Sequence, residues 1–164
     1  MSAAELHAYA TDIVELAALR GREHDMAALA ERHQVRLPPL GRVVAADEHI
    51  ALSVRPSRWL LLTPPAAPGA AADGWRATCN GAGVVVDLSS GLTAFRITDR
   101  PLCDAFARAC RLDLDPQVFP AGRAAATIVA QVSVILARLT GGMLLLTPST
   151  TARHFREWLG EQVR

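Results

Sequence analysis

A single string of residues constrains this chain more than any other feature. Leu60-Leu61-Leu62-Thr63-Pro64 returns as Leu144-Leu145-Leu146-Thr147-Pro148. Five apolar-rich residues could coincide by chance, but their context repeats as well. Gly41-Arg42 opens a strand series in the first half and Gly122-Arg123 opens one in the second, each after a short helix and a proline-containing turn. Element order of this kind is the mark of a duplicated supersecondary unit. The expectation is an α+β fold of antiparallel sheets with packed helices, internally duplicated, with pseudo-repeats at about residues 25–72 and 101–164. At 164 residues the two halves are expected to share one core and form one domain spanning 1–164.

The elements follow from periodicity. Ser2 and Glu5 have capping-box spacing, and Leu6, Tyr9, Ile13, Leu16 and Ala17 recur at helical intervals, predicting a first helix to about Leu19. A second short helix is expected over Asp25 to His33, then strands at Arg42 to Ala46, His49 to Val54 and Trp59 to Thr63. Pro64 to Gly83 is rich in Pro, Ala and Gly and reads as a loop with a weak helical turn near Trp75. Val84 to Leu88 and Leu92 to Thr98 read as a strand pair around Ser89-Ser90-Gly91, and Pro101 opens a helix striped by Leu102, Ala105, Phe106 and Ala109. Strands at Arg123 to Ala130, Val132 to Leu139 and Met143 to Thr147 precede a closing helix from Thr150 to Val163. Its apolar face is Ala152, Phe155, Trp158 and Leu159.

Composition excludes several chemistries. No lysine is present, and all 17 basic residues are Arg, which removes Schiff-base chemistry and a phosphate-loop lysine. A net charge of +1 leaves no footprint for nucleic acid or an anionic membrane, so the expected partners are proteins. Cys79, Cys103 and Cys110 form neither an even disulfide set nor a CxxC pair; together with an N-terminus lacking signal-peptide features, they suggest a cytoplasmic setting. The five histidines never take metal-binding spacing, so no zinc site is expected. Ser89-Ser90-Gly91 and Ser149 lack a nucleophile elbow, and Asn80-Gly81-Ala82-Gly83 precedes a strand where phosphate binding needs a helix N-terminus. Asp113 and Asp115, followed by Pro116, read as turn-shaping carboxylates in preference to an acid/base pair. Trp59, flanked by Arg55 and Arg58, is either a lid on the core or an interface anchor.

The run from Cys110 to Arg123, Cys-Arg-Leu-Asp-Leu-Asp-Pro-Gln-Val-Phe-Pro-Ala-Gly-Arg, resembles the signature of the sarcosine oxidase gamma-subunit family. Arg58-Trp59-Leu60-Leu61-Leu62 matches too, as do Ile13 to Gly21 and Leu37-Pro38 before Gly41-Arg42, so the resemblance covers most of the chain. It departs at Arg58, where an acidic residue is frequent, and in the Pro64 to Gly83 segment. The resemblance implies a fold similar to the folate-binding region of glycine-cleavage aminomethyltransferases. It also implies alpha, beta and delta partner subunits, with FAD, FMN, NAD and tetrahydrofolate in the larger ones and zinc in delta. On this reading the chain has no catalytic, cofactor-binding or metal site of its own, and it serves assembly of a complex that oxidatively demethylates sarcosine or a related amine. Arg58, Trp59, Arg111, Phe119 and Arg123 are the expected docking positions. The competing reading is a free-standing folate-binding protein in one-carbon metabolism. An independent hydrolase or transferase ranks last.

Overall fold

In the computed structural model, residues 6, 8–46, 48–79, 81–98 and 100–162 are described. They form nine strands and four helices that divide into two compact bodies, Ala10–Ser90 and Gly91–Arg164 with Met1–Tyr9.

The first body holds β1 (Asp12–Ala18), α1 (Glu23–Arg32), β2 (Arg42–Ala46), β3 (His49–Arg55), β4 (Arg58–Thr63), α2 (Ala70–Thr78) and β5 (Gly83–Asp87). Its antiparallel sheet has the order β2-β3-β4-β1-β5. The second body holds β6 (Leu92–Ile97), α3 (Arg100–Ala109), β7 (Ala124–Val129), β8 (Val132–Leu139), β9 (Gly142–Pro148) and α4 (Ser149–Glu161), with the sheet order β6-β9-β8-β7. Apart from β5, both bodies therefore run strand, helix, three strands, helix, and their sheets have the same connectivity.

The repeated string occupies the same place in both ladders. Leu61 pairs Val14 and Ala51, while Leu145 pairs Phe95 and Leu136. The two Gly-Arg turns also match bond for bond. Gly41 N–H donates to the Ser53 carbonyl at 2.8 Å and Arg42 N–H to Pro39 at 3.1 Å; Gly122 N–H donates to Arg138 at 2.8 Å and Arg123 N–H to Pro120 at 3.2 Å. Each glycine sits at positive φ, 77° and 86°, a conformation that costs a side-chain-bearing residue and costs glycine almost nothing. The duplication thus reaches the level of individual turns.

Three expectations need correction. The first element is the strand β1 where a helix was expected; the Ser2–Glu5 capping box itself lies outside the described residues. Ile13 to Leu16 are buried in succession: Val14 and Leu16 face the apolar cluster under α1 and α2, while Glu15 on the other face is held by Arg55 and Arg58. A strand covered on both faces needs no alternation, so helical spacing was satisfied by coincidence. Residues 70–78 form a full helix, anchored by buried Ala72 and Trp75, in place of a loop. Strands β5 and β6 do not pair with each other; β5 joins β1 and β6 joins β9.

Each sheet packs against its helices. One apolar cluster packs Val14, Leu16, Trp59 and Leu61 under Met26 and Ala30 of α1 and Ala72 and Trp75 of α2. A separate cluster packs Phe95, Leu136 and Leu145 under Phe106 of α3 and Phe155 and Leu159 of α4. Each body thus has its own helix-side apolar cluster. No helix among the described residues is long and apolar enough to cross a membrane.

Candidate functional site

The most unusual polar group in the first body is Glu15. It stands in the middle of β1 with Leu60 directly across on β4 and Val86 directly across on β5. Its side chain is only 6% exposed, an environment that penalises a lone carboxylate heavily. Two guanidinium groups compensate. Arg58 Nη1 donates to Glu15 Oε1 at 2.6 Å, and Arg55 Nη2 donates to Oε2 at 2.8 Å. The Arg55-Pro56-Ser57-Arg58 hairpin brings both cations to one acid, with Ser57 at φ 57° closing the turn and its carbonyl accepting from Ala18 N–H at 2.9 Å.

Both arginines stay half-exposed, at 57% and 46%, so each shows water a charged face while one edge is pinned. The neighbouring positions are apolar. Ala17 pairs Arg58 on one side and Val84 on the other, and Leu19 N–H continues the ladder to the Ala82 carbonyl. Leu19, Val84 and Val86 are 49%, 55% and 38% exposed. Val84 and Val86 lie on β5, an edge strand of its sheet, and Leu19 lies beside its start. The result is a continuous face with apolar side chains at one end and two guanidinium groups at the other. By contrast Arg22–Asp25, Arg76–Asp73 and Arg153–Glu157 are exposed helical pairs worth little.

The five docking positions expected from sequence separate sharply. Arg58 belongs to this face. Trp59, next to it, points to the opposite side of β4, where it is 9% exposed and its indole N–H donates to the Pro38 carbonyl at 2.8 Å. It is the lid on the core. Phe119 is likewise buried, in the second cluster, so its ring is packed inside the chain as Trp59's is. Arg111 is exposed on the segment after α3. Arg123 is half-buried on the Gly-Arg turn, and its buried Nε has no hydrogen-bond partner. Sequence reasoning missed Glu15, Val84 and Val86. The one available signal was an acid inside the apolar run Ile13-Val14-Glu15-Leu16.

Other clefts bring together less chemistry. A cleft of about 340 Å³ on the second sheet, bordered by Ile128, Ile135 and Leu146, has no charged lining residue. One of about 290 Å³ gathers Thr93, Ser149, Arg153 and Arg156. Another, of about 260 Å³, is lined by His33, His49 and Trp75. Behind it the Thr78 hydroxyl lies 2.8 Å from His33 Nε2 and 3.2 Å from the Gly74 carbonyl oxygen, an exposed contact between α1 and α2. Asp113 and Asp115 accept from the N–H groups of Asp115 and Gln117, at 2.9 and 2.8 Å, and shape a turn. Among the described residues no three metal-ligating side chains cluster.

The model of the sarcosine oxidase gamma subunit family matches residues 20–162. The chain belongs to that family. Among solved structures it is similar to a chain of the heterotetrameric sarcosine oxidase from Corynebacterium sp. U-96 in complex with pyrrole 2-carboxylate. The two share 24% identity at a TM-score of 0.83, over 96% of this chain and 82% of the other. It is also similar to the glycine cleavage system aminomethyltransferase T from Bartonella henselae, at 14% identity and a TM-score of 0.59. That match covers 91% of this chain but 43% of the aminomethyltransferase, so the gamma-family chain spans under half of the longer protein. No curated protein matches the sequence significantly.

Proposed function

We propose that this gamma-family chain is an assembly subunit of a sarcosine oxidase-type complex, docking onto larger chains through the β5 face. The observation that carries this reading is the exposed row Leu19, Val84 and Val86 beside Arg55 and Arg58. Exposed aliphatic residues on a sheet edge leave apolar surface and unpaired backbone groups in water, an arrangement stabilised by a covering partner. Arginine and buried apolar contacts are the usual anchors of such interfaces.

On this reading the flavin, nicotinamide and folate chemistry belongs to the larger alpha and beta chains and zinc to delta. The present chain contributes shape and charge to a cytoplasmic enzyme that demethylates sarcosine or a related amine. The test is reconstitution with those chains. Val84→Asp places a carboxylate at a 55% exposed position and should lower complex yield while leaving the isolated chain's circular dichroism unchanged. Unchanged assembly sinks the reading. Titration of the isolated chain with tetrahydrofolate separates the free-standing folate-binding alternative, since docking alone expects no saturable binding.

A further inference from the structure

The Arg55–Glu15–Arg58 cluster carries more information than exposure alone. Two cations share one buried carboxylate, so these three side chains sum to one positive charge; the Glu23 carboxylate of α1 accepts from the Ser57 hydroxyl of the same hairpin at 2.7 Å. A guanidinium has five N–H donors, and the contact with Glu15 engages one nitrogen on each arginine. The remaining donors are held in fixed orientation by the pinned edge, at little further entropic cost for a second acceptor.

Resting on the docking reading above, we propose that Arg55 and Arg58 receive a carboxylate of a partner subunit, presented on an extended segment that covers Val84 and Val86 along β5. The charge selects the partner. A second copy of this chain would bring the same positive face and be repelled, and the net charge of +1 does not favour a polyphosphate backbone. A planar carboxylate matches the guanidinium fork, whereas a neutral segment would bury the surplus charge without a counterion. Glu15 acts as a positioning residue: it fixes both forks and halves the charge the partner must neutralise.

The experiment measures binding of the full chain to its larger subunits, purified as a subcomplex lacking it, across a range of salt concentrations. Arg55→Gln/Arg58→Gln should weaken binding about 30-fold or more and flatten the salt dependence. Glu15→Gln, which raises the cluster from one net charge to two, should steepen that dependence. Because the double variant strands Glu15, the triple variant Glu15→Gln/Arg55→Gln/Arg58→Gln serves as the folded control and should bind as weakly as the double. If the triple variant binds with wild-type affinity and salt slope while Val84→Asp does not bind, the carboxylate proposal is overturned and the docking reading stands. If the wild-type chain fails to bind the subcomplex, or self-associates through this face, both fall.

Discussion

Stability of the isolated chain should show the Glu15 cluster as a cooperative unit, independently of any partner. Either Arg55→Gln or Arg58→Gln removes one charge-assisted hydrogen bond from a half-exposed donor and leaves Glu15 with the other. Each single change should cost about 1 kcal/mol. The double change leaves a carboxylate at 6% exposure with no cation, and breaking a buried pair in this way costs about 3–5 kcal/mol. The double therefore exceeds the sum of the singles by about 1–3 kcal/mol, the signature of coupled groups. Adding Glu15→Gln removes the stranded charge and should restore most of the loss. With a urea slope of about 2 kcal/mol per molar, the double variant's midpoint falls by about 1.5–2.5 M, and the triple recovers most of it. Strictly additive singles, or a triple no better than the double, would refute the claim that Glu15 is a buried charge held by this pair.

Three further outcomes follow from the packing. Trp59→Phe strands the Pro38 carbonyl, which the indole N–H reaches at 2.8 Å, and should cost about 1–3 kcal/mol in thermal unfolding, with complex assembly unchanged. Gly142→Ala should destabilise the β8–β9 hairpin, since Gly142 sits at φ 157° and a Cβ would meet the Ile97 carbonyl oxygen at 2.4 Å; faster hydrogen exchange in β9 is the readout. Burial at 1% exposure pushes the Cys79 thiol pKa up, so the folded state disfavours the thiolate. The stability this contributes is fully present below the ordinary thiol value, about 8.5, and is lost as pH rises through the higher folded value. Cys79→Ala should flatten that alkaline decline, and an unchanged slope would contradict it.

What the sequence disclosed was governed by how locally each feature is determined. The Pro-x-Gly-Arg turns need a positive-φ glycine and were legible, as was the Gly141-Gly142 hairpin. The strand β1 was not, because both its pairing and its burial come from residues far along the chain: Leu60 to Leu62 and Val85 to Asp87 at its edges, Ala72 and Trp75 on one face, and Arg55 and Arg58 on the other. Reading β1 as a helix removes the strand that starts the first repeat, and Glu15 with it, although β6, which starts the second, is legible. Helix α2 was hidden by Pro64, Pro65 and Pro68, which lie ahead of it and do not interrupt it. Arg58 and Trp59 show why site prediction stopped short: adjacent residues on a strand face opposite ways, so one is solvent-exposed and the other is core. Deciding which is which requires the sheet.

The most direct measurement is the native mass and flavin content of this chain purified under non-denaturing conditions from its own cells. The account predicts that it elutes with larger flavin-bearing chains at fixed stoichiometry, in fractions that oxidise sarcosine or a related secondary or tertiary amine. Elution as a free 17.5 kDa monomer, with the flavoenzyme intact and active in other fractions, would contradict it.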